Sequence, residues 1–174
     1  MNRLTLALLV LLAACAAPSD RPPPETVAAV DLPRYLGTWF EIARLPNSFQ
    51  DGAGRACAQT TATYEARPDG TIGVMNRCRD AAGAMVEATA RAYAVEGTGN
   101  SKLRVSFFWP FYGDYWVIGL VPDYRWAVVG APGRNYLWVL SRTPTLPAGD
   151  YAEAVGIAAA QGFDIARLRA TPQD

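Results

Sequence analysis

Between Trp109 and Pro144, three short runs rich in β-branched and aromatic residues are separated by two compact turn signals, Pro122-Asp123 and Ala131-Pro132-Gly133. Such runs, bounded by Pro, Gly and Asp, read as strands of an antiparallel meander. Aromatic side chains occur on both faces of these strands, so each face must meet something apolar. A closed barrel with an apolar interior satisfies that demand.

The same punctuation continues upstream. Gly37 to Leu45 reads as a strand ended by Pro46, and 47–56 as a loop over one barrel end. Thr60–Ala66 and Thr71–Cys78 form a hairpin about Pro68-Asp69-Gly70. Val86–Val95, Lys102–Trp109, Tyr115–Val121, Tyr124–Gly130 and Tyr136–Arg142 follow. In the fifth strand Leu103, Val105, Phe107 and Trp109 alternate with Lys102, Arg104, Ser106 and Phe108, which gives it two distinct faces. Eight strands is the number at which a closed barrel can hold one small ligand. Asp31–Leu36 reads as a single helical turn. Asp150, with Glu153 three residues on, resembles a capping box. Tyr151, Val155 and Ala159 then place an apolar stripe on a helix that Gly162 stops. The expected fold is therefore all-β: an eight-stranded antiparallel up-and-down barrel with one C-terminal helix on its wall.

A chain of 174 residues suits a single domain, residues 31–174 here, and 16 basic against 16 acidic residues leave no electrostatic footprint for nucleic acid. Residues 1–14 read as a signal peptide: Asn2-Arg3, then an apolar run from Leu4 to Leu12 too short to anchor as a span. Leu12-Ala13-Ala14-Cys15 resembles the lipobox of bacterial lipoproteins. That resemblance implies cleavage before Cys15, acylation of its sulfur and new amine, and stable anchoring through several acyl chains. Ala16, not Asp, follows the cysteine, which by the same resemblance favours the outer membrane. The alternative is an ordinary signal peptide cut near Ala17. Residues 15–30, rich in proline, read as an extended tether with no packed structure. Two cysteines remain, Cys57 and Cys78. In an oxidising compartment a disulfide is the default reading and a free reactive thiol the alternative. Counting back from the hairpin turn places Cys78 opposite residue 59 or 60, so a bond to Cys57 requires a bulge or bend at the start of that strand.

Three segments in order resemble the lipocalins, and the bacterial outer-membrane members most. Tyr35-Leu36-Gly37-Thr38-Trp39-Phe40-Glu41-Ile42-Ala43-Arg44 carries the Gly-x-Trp of the first motif. Val121-Pro122-Asp123-Tyr124 stands at the second, with Pro122 in place of the usual Thr. Leu140-Ser141-Arg142 supplies the third motif's arginine, and Phe111–Tyr115 and Tyr136–Pro144 extend the likeness. The resemblance implies that Trp39 and Arg142 close one barrel end as a cation–π pair. It implies that Trp138 lines the pocket, sharing its face with Tyr136 and Leu140. It places Tyr112 and Phe108 near the open end, within reach of a lipid head group or entering chain, and Asn76 at a polar pocket position. For each of these four, barrel packing without ligand contact is the competing reading.

The chain has no histidine. This removes histidine-based triads, histidine acid–base catalysis and histidine metal ligation. No Gly-x-Ser-x-Gly, Cys-x-x-Cys or phosphate loop occurs. The expectation is a binder and not an enzyme, with no catalytic residues, no metal and no cofactor. Burial of an acyl chain gains roughly 0.8 kcal/mol per methylene, on the order of 10 kcal/mol for sixteen carbons before ordering costs. Selectivity would then lie at the mouth, where Tyr112 or Arg104 could meet a phosphate or carboxylate. The resemblance supplies the ligand class: fatty acids or lysophospholipids, carried for envelope maintenance. Partners are that ligand, the membrane through the N-terminal lipid, and a possible second copy of the chain. Two alternatives stand. One is an enzyme acting on a bound lipophile through a free, inward-facing Cys57 or Cys78. The other is a structural lipoprotein whose barrel is filled by Trp126, Trp138 and Phe107. Haem or a pigment is a further candidate ligand, with Tyr able to ligate iron.

Overall fold

The computed structural model describes residues 21–52 and 56–174. The strands β1 Gly37–Arg44, β2 Ala58–Ala66, β3 Ile72–Arg79, β4 Met85–Ala94, β5 Lys102–Phe108, β6 Phe111–Leu120, β7 Trp126–Gly130 and β8 Leu137–Ser141 pair in sequence order, all antiparallel. β1 bonds to both β2 and β8, so the sheet closes on itself and leaves no long edge. The expected eight strands are present, each within a few residues of its expected ends. A ninth, β9 Arg169–Ala170, was not expected. It pairs with Ala43 and Arg44 of β1, beyond the point where the β1–β2 ladder stops at Phe40.

Two apolar clusters use the two faces of the wall. Trp39, Val117, Ala127, Val129 and Leu140 face inward, while Ile118, Trp126, Val128, Leu137 and Val139 face outward. All five residues of β7 are buried, because the outer face of β6–β8 is covered by α3, Ala148–Ala160. That helix accounts for the aromatics on both faces of the meander. Its start differs from the capping-box expectation. Pro147 is the N-cap and Asp150 lies in the first turn, where it binds the Arg125 guanidinium at 2.7 and 3.1 Å instead of capping. An acid in the first turn is favoured by the helix dipole without any cap role. The buried stripe is also rotated: Ala154 and Ala158 are buried, with Tyr151 and Ile157 beside them, while Ala159 is exposed. Alanine contacts let the helix lie close on the wall. A Cβ at Gly130 would sit 2.5 Å from the Phe163 ring, and one at Gly119 3.1 Å from Ile157. Gly162, at φ +80°, ends the helix as expected.

The β2–β3 hairpin contains the bulge that the cysteine count required. Ala58 pairs with Arg79 and Thr61 with Arg77, so the register shifts between them, and Gln59 adopts φ +50°. Cys57 and Cys78 form a disulfide with Cα atoms 5.4 Å apart. In the β1–β2 loop a helical turn, α2 Ser48–Asp51, is capped by the Asn47 side chain on Gln50 N. The single turn expected near residue 32 is α1, Leu32–Tyr35, capped by Asp31.

The described part of the tether, residues 21–30, departs from expectation because it is packed. Val27 N donates to Val117 O and Val30 N to Gly99 O, both Pro24 and Val30 are buried, and Arg134 donates to Pro22 O at 2.6 Å. An extended proline-rich strip loses little entropy on ordering, and its backbone finds partners along the barrel. Cys15 and the signal segment lie outside the described residues.

Candidate ligand-binding site

The meander fixes two ends. The β1–β2, β3–β4, β5–β6 and β7–β8 connections share one end. The other three connections share the opposite end with α1. At the α1 end the barrel is sealed. Trp39 is fully buried, and the Arg142 guanidinium lies 3.8 Å from its ring centroid. That guanidinium donates to Thr38 O, Arg34 O and Tyr35 O at 2.9, 2.6 and 3.1 Å, and Trp39 Nε1 donates to Tyr35 O at 2.8 Å. One cation thus ties α1, β1 and β8 across the floor.

Above the floor three tyrosine hydroxyls meet. Tyr115 Oη is 2.7 Å from Tyr35 Oη and accepts from Tyr64 Oη at 2.9 Å. Burial pushes the Tyr64 hydroxyl up to about 12 and raises those of Tyr35 and Tyr115 well above their ordinary range. All three are therefore neutral at ordinary pH, and the base of the hollow carries no tyrosinate charge. Ile72, Val74, Leu103, Val117, Val129 and Leu140 form an apolar wall around them.

Toward the other end the inward positions become small. Ala62 pairs with Trp39 and with Asn76, and Asn76 with Ala88, so one row of the inner face carries two alanines and an asparagine. The Asn76 Oδ1 is buried without a protein partner, as is Thr60 Oγ1. Each is a buried acceptor, and leaving one unpaired costs about 1–3 kcal/mol.

Trp138 stands higher. It is half-buried and packs against the inner cluster, its ring stacks on Tyr136 at 5.8 Å, and its Nε1 donates to Gln50 Oε1 at 3.0 Å. Tyr136, Trp138 and Leu140 lie on one face. Phe49 of α2 approaches both Tyr136 and Trp138. Phe108 sits at the open end and is largely exposed. Tyr112 is on the outer wall, its ring 5.4 Å from Tyr93, because it has the opposite parity along β6 to inward Tyr115 and Val117. Arg104 is likewise outside, paired with Asp114 at 2.9 Å, and so does not form the rim. Trp126 faces α3, not the hollow, and so cannot fill it.

A polar group within the barrel was missed at the sequence level. Glu41 and Arg44 sit opposite Leu140 and Trp138 and share their inward side. Arg44 binds Glu41 at 2.7 Å and Asp51 at 2.6 Å, and Glu41 also accepts from Thr171 and from Gln50. The Asp51 carboxyl is held below its ordinary range by the Arg44 hydrogen bond. These contacts pin α2 and the C-terminal segment to β1 at the open end. Period two from Trp39 already puts Glu41 inside, and an inward carboxylate demands a cation; that was the available signal. The tyrosine triad left none, because three hydroxyls from distant segments meet only in the closed barrel.

A closed meander barrel, sealed at one end by an arginine over a tryptophan and lined with small and apolar residues toward the other, is the lipocalin architecture. The chain belongs to that family: a profile described as a lipocalin-like domain matches residues 30–173. It is 41% identical over 168 residues to the outer membrane lipoprotein Blc of Escherichia coli (strain K12), covering 94% of this chain and 90% of that one. It is 39% identical to temperature-induced lipocalin-1 of Arabidopsis thaliana over 86% of this chain and 82% of the relative. Bovine apolipoprotein D (Bos taurus) is more distant, at 28% identity over 87% and 82%. Among solved structures, insecticyanin of Manduca sexta superposes with a TM-score of 0.69 at 17% identity, over 87% of this chain and 85% of that one, a likeness of fold alone.

Proposed function

We propose that this protein is a lipid carrier tied to the outer membrane through Cys15, facing the periplasm. Its barrel takes fatty acids or lysophospholipids for storage or transfer during envelope maintenance. The observation that carries this reading is the gradient inside the barrel: a sealed aromatic floor, an apolar middle, and small side chains with an unpaired Asn76 acceptor above. Such a shaft suits an acyl chain, whose burial is non-directional, with a polar group placed where a head group can use it. The Blc relatives are named outer membrane lipoproteins, which supports the membrane and the lipoprotein character. The described chain also leaves the barrel at the open end, where Arg21 donates to Gly162 O and Arg134 to Pro22 O. An anchor at Cys15 would therefore hold the mouth toward the bilayer.

We read the protein as a binder. The cysteine route to catalysis needs a free thiol, and Cys57 and Cys78 are joined to each other. The test is mass spectrometry of lipids that co-purify with the mature protein, paired with fatty-acid quenching of its tryptophan fluorescence. A bound lysophospholipid or fatty acid and saturable quenching are expected. Absence of both would end the carrier reading. Separately, Cys15→Ser should release the protein from the membrane fraction.

A further inference from the structure

The β5–β6 hairpin carries Phe108, Trp109 and Phe111 at 79%, 83% and 76% exposure, the highest of the large apolar side chains among the described residues. No ionisable side chain other than Tyr112 interrupts 105–113. The hairpin stands clear of its neighbour: the β4–β5 ladder ends at Arg91–Ser106, while β4 runs on to Met85 and β5 to Phe108.

Behind the hairpin, on the outer wall, lies a cleft of about 440 Å³ lined by Arg67, Thr89, Arg91, Ser106, Trp109 and Tyr112. Gly73, Arg91 and Ser106 stand side by side on three strands. Gly73 leaves room for the Arg67 guanidinium, since a Cβ there would be 2.9 Å from Arg67 Nε. Ser106 is only 8% exposed, and its Oγ is buried without a partner. Arg91 has one loose ion pair, 3.4 Å from Asp69, and Arg67 has none among the described residues. Asp69, the acid that faces both, already accepts from Thr71 N and Oγ1. The cleft thus presents two under-used guanidiniums and a spare hydroxyl next to an uncharged aromatic tip.

Guanidinium pairs grip phosphate oxygens bidentately. Tryptophan and phenylalanine next to arginine are what the head-group boundary of a bilayer accommodates. A soluble anion would account for the arginines but not for the aromatic tip, and a protein partner would account for the tip but not for the under-used cations. We infer that this face docks the barrel edge onto an anionic phospholipid bilayer, with one lipid phosphate taken between Arg67 and Arg91 and the aromatic hairpin in the interface. Ala90, which belongs to the inner cluster, also contributes to the lining of the cleft. The choice of a phospholipid partner rests on the carrier reading.

The test is flotation of the unlipidated chain from Ala16 onward with vesicles of phosphatidylethanolamine plus phosphatidylglycerol, against vesicles of phosphatidylethanolamine plus phosphatidylcholine. Binding at least tenfold tighter to the anionic vesicles is expected. Arg67→Gln/Arg91→Gln and Phe108→Ser/Trp109→Ser should each lose it about tenfold, whereas Lys102→Gln/Arg125→Gln, at the closed end, should not. Near-ultraviolet circular dichroism and interior fatty-acid binding confirm that each variant is folded. Undiminished flotation of the arginine pair overturns the proposal. So does competition by inorganic phosphate alone at equal phosphate concentration, which would mark a free-anion site, or an effect of the hairpin variant on self-association only. If fatty-acid binding fails while flotation holds, the carrier reading falls and the docking face stands; the reverse outcome removes only the docking face.

Discussion

At the scale of residues, Arg142 does more than cover an indole. It joins three backbone carbonyls of β1 and α1 to β8 across the floor. Arg142→Ala should cost about 2 kcal/mol, from a cation–π contact and charge-assisted hydrogen bonds that are partly solvent-screened. Lysine should recover only part of this, because it keeps the charge and loses the fork. Urea titration would show a lower midpoint at unchanged slope. The tyrosine triad makes a second residue-level prediction. In the unfolded chain tyrosine ionises near pH 10. In the native barrel Tyr64 does so at about 12, and burial raises Tyr35 and Tyr115 well above their ordinary range. Below about pH 10 both states are protonated and stability is full. Above it the unfolded chain alone loses protons, so stability falls as pH rises toward and past 12. Tyrosinate absorbance should show three of the eight tyrosines titrating only together with unfolding.

At the scale of elements, the helix and the wall are matched by what the wall lacks. Gly130 admits Phe163 to a distance that a side chain would forbid, and Gly119 leaves Ile157 a close approach. Gly130→Ala should therefore push the α3 terminus outward and cost about 1–3 kcal/mol, by overpacking. Hydrogen exchange along 157–163 should quicken while that of β3–β5 holds. The helix itself was legible in sequence, and so was its glycine stop. Its first residue and its buried stripe were not. Which helical face is buried is decided by the wall it meets, and alanines at 154 and 158 are chosen over a larger stripe because they permit closer approach. The disulfide shows the opposite case. A period-two count from one turn already showed that a Cys57–Cys78 bond needs a bulge or bend at the start of that strand, and the structure has the bulge at Gln59, since register within a hairpin is a local property.

At the scale of the whole molecule, the hollow is a product of closure. Ala62 lies on the inner face between Trp39 and Asn76. Ala62→Trp should occupy the shaft just above the floor and weaken fatty-acid affinity at least tenfold, with a stability cost of about 1–3 kcal/mol, since Ala62 is only half-buried yet lies beside Trp39. Fatty-acid titration together with thermal melting would check it. If affinity is unchanged, the ligand does not occupy the shaft.

Strand count and hairpin turns follow from short-range pattern, because alternation and turn chemistry act over a few residues, while the cysteine pair came from the cysteine count of an exported chain. The lipocalin likeness is carried by motifs of the same short reach. Closure decided what those patterns could not. It brought Tyr35, Tyr64 and Tyr115 to one point, set Thr171 against Glu41 and Arg44, turned Trp126 to the helix, and laid residues 21–30 along the wall. Each of these joins segments far apart in the chain, and their meeting depends on how the strands are sheared around the barrel, a quantity that no local stretch of sequence encodes.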